Sequence, residues 1–145
     1  MEKMASKQRV LAAFNRQPVD RLPVISPTSV ATVESMLTVN AAFPEAHTDA
    51  KKMAALAAAG HNLLGFDNVA PCFSVQQEAA ALGAGMNWGQ IDTMPSAILH
   101  PYDEPNACPR KSKMKTSKRF WKQFVNCLRR NENESCGDLV TTVQF

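Results

Sequence analysis

The sequence predicts an α/β fold in which helices alternate with short parallel strands. Segments with apolar residues at helical spacing are separated by short, uninterrupted apolar runs, the order expected of βαβ units. One such run, LPVIS at residues 22–26, lacks polar alternation, as does a strand buried on both faces of a parallel sheet. The composition, 45% hydrophobic and 20% charged, is that of a globular chain with a core. At 145 residues there is room for one domain or part of one, well short of the roughly 250 residues of a full (β/α)8 barrel.

The first element is SKQRVLAAFNRQ, with Ser6 as N-cap, Val10, Leu11 and Phe14 on one helical face, and Pro18 as the stop. LPVIS follows as a strand, with Pro23 near its start, where a missing donor is tolerated. SVATVESML then places Val30, Val33, Met36 and Leu37 at helical spacing, and AAFPEAH reads as a loop broken by Pro44. TDAKKMAALAAAGHNLLG is the clearest helix. Thr48 or Asp49 caps it, alanines fill its body, and Gly60 or Gly65 ends it.

Residues 66–70 form the second strand, and SVQQEAAALG a helix opened by a Ser74-x-x-Gln77 capping box and closed by Gly83. MNWGQID and the stretch through Ile98 and Leu99 are short extended segments, and PYDEPNACP is a proline-punctuated loop. Right-handed crossovers follow from a parallel arrangement.

Charge divides the chain. Residues 1–109 carry 7 Lys/Arg against 10 Asp/Glu, net −3, whereas residues 110–145 carry 9 against 3, net +6, with every cation between Arg110 and Arg130. That tail, PRKSKMKTSKRFWKQFVNCLRR, has Phe120, Phe124 and Leu128 at four-residue spacing. Its cations and aromatic rings suit phosphate backbones or an anionic surface. The charged start MEKMASKQR and the lack of a long apolar run give neither a signal peptide nor a membrane span, so a cytoplasmic location is expected. Cys72, Cys108, Cys127 and Cys136 show no paired spacing and read as reduced thiols.

The motifs exclude several chemistries. GAG at residues 83–85 is no phosphate loop, and GxSxG, HxH and HExxH are missing. His47, His61 and His100 read as loop or surface histidines, and Asp67 and Asp92 as capping or exposed aspartates more readily than a paired acid and base. Ser26 reads as a polar strand end, although strand carboxyl ends are where a barrel holds its ligands.

Taken together, RVLAAFNRQPVDRLPV, FPEAHTDAKKMAALAAAGHNLLGFDNV, SVQQEAAALGAGMNWG and MPSAILHPYDEP resemble, in order, the uroporphyrinogen decarboxylase superfamily. The resemblance covers about residues 6–107 and is greatest to the branch containing methylcobamide:coenzyme M methyltransferases. It implies the amino-terminal portion of a (β/α)8 TIM barrel, incomplete, over residues 1–107, with residues 108–145 an unrelated basic tail, out of frame or disordered. In the full-length enzyme a methylated corrinoid protein and a small thiol would be the partners. Zinc held by a His-x-Cys pair and a later cysteine would turn the thiol into its reactive thiolate.

None of those zinc ligands is present, so no cofactor is assigned to this chain, and no catalytic residue. The porphyrinogen decarboxylases carry arginines just after the first strand; here SPTSVATVESM has none, which demotes decarboxylation. A basic-tailed nucleic-acid-binding protein remains as a reading of another class. Pocket positions by analogy with strand ends are Ser26, Thr28, Asp67 and Cys72. Read two bases later, the codons of the tail permit EDFKAVLEAIRKL, an amphipathic helix of the kind a barrel continuation needs, so a frame change near residues 108–114 is expected.

Overall fold

A computed structural model describes residues 2–71, 73–104 and 122–127. In chain order these form α1 (Ser6–Phe14), α2 (Val33–Thr38), a 3-10 turn (Glu45–His47), α3 (Ala50–Asn62), α4 (Gln77–Ala81), β1 (Gly85–Asn87) and β2 (Ser96–Leu99). Residues 122–127 are helical.

The core gathers on α3. Met53, Ala54, Leu56, Ala57 and Ala58 of this helix are buried against Met36 of α2, Ala46 of the 3-10 turn, and the rings of Phe43 and Phe73. Alanines let neighbours approach the helix axis closely, so it serves as the central post of the structure. Phe124, from the basic tail, is 3% exposed and joins this core, with Val125 and Cys127 packed against it. The rest of the tail, Phe120 and Leu128 included, lies outside the described residues.

Asp49, not Thr48, caps α3, its carboxylate accepting from the N–H groups of Lys51 and Lys52 at 2.7 and 3.0 Å. Gly60 lies inside the helix, where a Cβ would come within 3.3 Å of the Phe66 ring, and the chain turns out through Gly65 at φ +74°. Helix α2 begins at Val33, later than the Val30 periodicity suggests, because Thr32 and Ser35 form a reciprocal capping box there. AAFPEAH is not wholly loop, since Glu45–His47 make one 3-10 turn.

Three expectations are corrected. Ala5, not Ser6, is the N-cap of α1, and the residue that helix buries is Arg9, while Leu11 and Phe14 face outward. The Ser74 hydroxyl accepts from the Gln76 N–H, but Gln77 does not close the box; its amide instead donates to the His47 carbonyl at 2.7 Å.

The third concerns the strands. Among the described residues the one sheet is an antiparallel pair, β1 with β2, in register Met86 opposite Ala97 and Asn87 opposite Ser96, with an irregularity at Gly85. Residues 22–26 and 66–68 lie side by side, but the Asp67 N–H donating to the Val24 carbonyl at 2.7 Å is their single backbone bond. Side chains supply the rest, because Asp67 and Asn68 take with their side-chain oxygens the Val24 and Ser26 N–H donors that backbone carbonyls of the neighbouring segment would receive in a regular ladder.

No helix among the described residues is long and apolar enough to cross a membrane.

Candidate functional site

Where residues 22–26 end, the Ser26 N–H donates to the Asn68 side-chain oxygen at 3.0 Å and the Asn68 amide donates back to the Ser26 carbonyl at 2.7 Å. The Ser26 hydroxyl then bends the chain by donating to the Thr28 carbonyl at 2.8 Å. These residues border a cleft closed on the far side by Ala57 and Gly60 of α3 and by Phe66. Its enclosed space is about 10 Å³, enough for one water molecule.

Among the described residues no charged side chain lines this cleft. Neutral hydroxyl and amide groups can orient a ligand by hydrogen bonds, but they neither pair with a carboxylate nor move a proton near neutral pH. Ser26 and Thr28 both border this cleft, together with Asn68, which sequence reasoning missed. An asparagine after an aspartate in GFDN carries no signal of its own; only its reach across to Ser26 reveals the role.

Asp67 is placed elsewhere. It is fully buried on the side facing α1, where its Oδ1 receives the Ser6 hydroxyl at 2.8 Å and the Arg9 guanidinium at 2.6 Å. Arg21 grips both its oxygens, at 2.7 and 2.9 Å, and the Val24 N–H adds a further bond at 2.9 Å. Arg9, 2% exposed, also forks onto Asp20 at 2.7 and 2.9 Å.

Burial alone would raise the Asp67 pKa, but the bonds from Arg21, Val24 and Ser6, with the Arg21 charge, hold it at about 2. The Asp20 carboxyl is likewise held below its ordinary range, first by the Arg9 hydrogen bond, and the Arg9 pKa is raised in return, first by its bond to Asp20. Five donors on one carboxylate make a structural clamp that joins α1 to both extended segments. Cys72 lies outside the described residues.

A second notable group is His47. It is 1% exposed, stacked on Phe43 with ring centres 4.1 Å apart and flanked by Trp88 at 5.9 Å, and neither ring nitrogen has a hydrogen-bond partner among the described residues. Burial lowers its pKa, so the neutral ring is favoured.

Among the described residues no three His, Cys, Asp or Glu side chains converge on a point that could hold a metal. His47 stands among aromatic rings and the Asp67 oxygens are saturated by donors, so these residues do not fit a thiol-activating zinc.

Comparisons with known proteins bear on these features. The family described as uroporphyrinogen decarboxylase (URO-D) matches residues 5–137. The methylcobamide:CoM methyltransferase MtbA of Methanosarcina acetivorans is 44% identical over 100 residues, 69% of this chain and 30% of that protein. MtaA of Methanosarcina barkeri, of the same description, is 39% identical over 102 residues, 70% of this chain and 30% of that protein. A methyltransferase from Methanosarcina mazei of known structure superposes with a TM-score of 0.79 at 30% identity, covering 92% of this chain and 41% of that one. The chain thus spans about 30% of the length of these curated relatives.

Proposed function

The chain belongs to the uroporphyrinogen decarboxylase (URO-D) family, and from that premise we propose that it is the amino-terminal part of a corrinoid-dependent methyltransferase. The whole enzyme moves a methyl group from a methylated corrinoid protein to a thiol such as coenzyme M. The observation that carries the reading is the identity of 39–44% to methylcobamide:CoM methyltransferases across the segment that builds the cleft. Within that reading Ser26, Thr28 and Asn68 orient substrate by neutral hydrogen bonds, with Cys72 near them in sequence. Thiol activation belongs to residues beyond this segment.

The test is a covalent chimera in which residues 1–104 replace the matched segment of the Methanosarcina acetivorans relative. Methyl transfer from methylcobalamin to coenzyme M is expected from the chimera and not from the 145-residue chain. An inactive but folded chimera refutes the reading.

A tetrapyrrole decarboxylase is the second reading within the family. It is disfavoured by the uncharged cleft and by the absence of arginine from residues 27–37, since porphyrinogen carboxylates call for bidentate cations. A nucleic-acid-binding role predicts polyanion affinity that falls steeply with salt; binding of that kind through the tail would displace the methyltransferase proposal for residues 108–145.

Two accounts of the tail remain separable by experiment. A frame change near residues 108–114 explains the reversal of charge. A divergent, in-frame family helix explains why Phe124 sits in the core and why the family match continues to residue 137. The nucleotide sequence through the junction decides between them: a barrel continuation in another frame supports the first, and none supports the second.

A further inference from the structure

Two inserted segments meet at His47. Residues 22–26 and 66–68 run the same way, Val24 bonded to Asp67 and Ser26 to Asn68, so the segments that follow them leave from the same end. At that end α/β proteins hold their ligands. The first segment starts at the cleft with Thr28 and closes with the 3-10 turn; the second carries Phe73, α4 and the β1–β2 hairpin. Aromatic rings and one hydrogen bond tie the two together. Phe43 stacks on the His47 ring and meets the Phe73 ring at 5.7 Å, Trp88 flanks His47, and the Gln77 amide donates to the His47 carbonyl at 2.7 Å.

The ring at the centre of this junction suits one protonation state. A neutral imidazole leaves one donor and one acceptor unmet there, whereas the imidazolium would leave two donors and a charge, a far greater cost in an apolar setting. No nearby charge offsets it. The charged groups on the surrounding elements are Glu45 of the turn, Asp49, Lys51 and Lys52 at the start of α3, Glu78 of α4, Asp92 of the hairpin loop and Lys122 of the helical residues that join the core. Glu45 faces Lys52 at 4.0 Å, Asp49 caps α3, Asp92 accepts from Thr93, and Glu78 and Lys122 are exposed, so none of them bonds to the ring. The described residues beside Phe43 and Phe73 carry no charge.

We propose that His47 is a pH-sensitive latch between the two inserted segments, a property independent of the methyltransferase reading. Neutral, the ring stays against Phe43 and Trp88 and keeps the Gln77 tether in place. Protonated by solvent, it leaves for water, the 3-10 turn opens, and the loop that bears Thr28 is released from α4 and the hairpin while α3 stays folded.

The test is amide exchange of the full 145-residue chain at pH 7.5 and 5.5, expressed as protection relative to the intrinsic rate at each pH. A ring that titrates at its ordinary 6.5 once open favours the open form by up to about tenfold at pH 5.5. Protection at Ala46, Thr48, Asp49, Ala80 and Leu82, whose N–H groups are bonded in the closed form, is expected to fall at least threefold between the two pH values, with residues 56–59 of α3 unchanged. His47→Leu and His47→Gln, one apolar and one polar but neither titratable, are each expected to abolish the difference. A fall of less than threefold, an equal loss in α3, an α3 already unprotected at pH 7.5, or a difference that survives either substitution overturns the proposal.

Discussion

At the scale of single residues, Asp67 and His47 are buried polar groups of opposite kinds. Asp67 is saturated: Arg9, Arg21, Ser6 and Val24 all donate to it, and removing its charge leaves the buried Arg9 with Asp20 as its one carboxylate among the described residues and takes from Arg21 its ion pair. Asp67→Asn is expected to cost about 3 kcal/mol, read from urea unfolding, since breaking one member of a buried ion network leaves the others uncompensated. Its carboxyl titrates at about 2 in the folded chain against 3.8 when unfolded, so its contribution is complete above pH 3.8 and drains away as pH falls toward 2. His47 has no partner to lose. Its folded pKa lies below the ordinary 6.5, so as pH drops past 6.5 the unfolded chain takes up a proton that the folded chain refuses. Stability is therefore expected to decline as pH falls below 6.5, well above the range in which Asp67 titrates, and His47→Leu is expected to flatten that slope in urea titrations at fixed pH values.

At the scale of elements, the hairpin of β1 and β2 depends on its turn. Gly89 sits at φ +73°, and a Cβ there would lie 2.1 Å from the Thr93 carbonyl oxygen. Gly89→Ala is expected to cost the hairpin about 2 kcal/mol, a roughly thirtyfold rise in amide exchange across Gly85–Asn87 with residues of α3 unaffected. The same elements show what can be read from sequence. Helix α3 was legible because its cap, its alanines and its closing glycine are local signals that agree. The extended segments were legible as apolar runs, but not the manner of their pairing, because Asp67 and Asn68 reach backbone groups 42 and 43 residues away that no local pattern records. Helix α1 misled for a similar reason: Val10, Leu11 and Phe14 advertise an apolar face, yet two acids distant in sequence pull Arg9 inward instead. Ser26 and Thr28 can be named from sequence as strand-end positions and both border the cleft, whereas Asn68 and the burial of His47 depend on tertiary contacts.

At the scale of the whole molecule, the core of the described residues is a single cluster around α3, while Phe14, Leu22, Leu63, Val75, Ile98 and Leu99 stand well exposed. An apolar surface of this extent, together with open strand edges, favours association. The isolated chain is expected to bind 8-anilinonaphthalene sulfonate and to melt over a broad range. A sharp monomeric transition without dye binding would refute this.

The Arg9 clamp also orders events in time. Arg9 meets Asp20 only 11 residues on, but its bond to Asp67 spans 58 residues. At synthesis rates of about 5–20 residues per second, Asp67 is made roughly 3–12 seconds after Arg9. On the ribosome, then, α1 is made well before the carboxylate that fastens it to the extended segments. It waits for an anchor that follows the last turn of α3, so that α3 has already been synthesised when the amino terminus is finally fastened down.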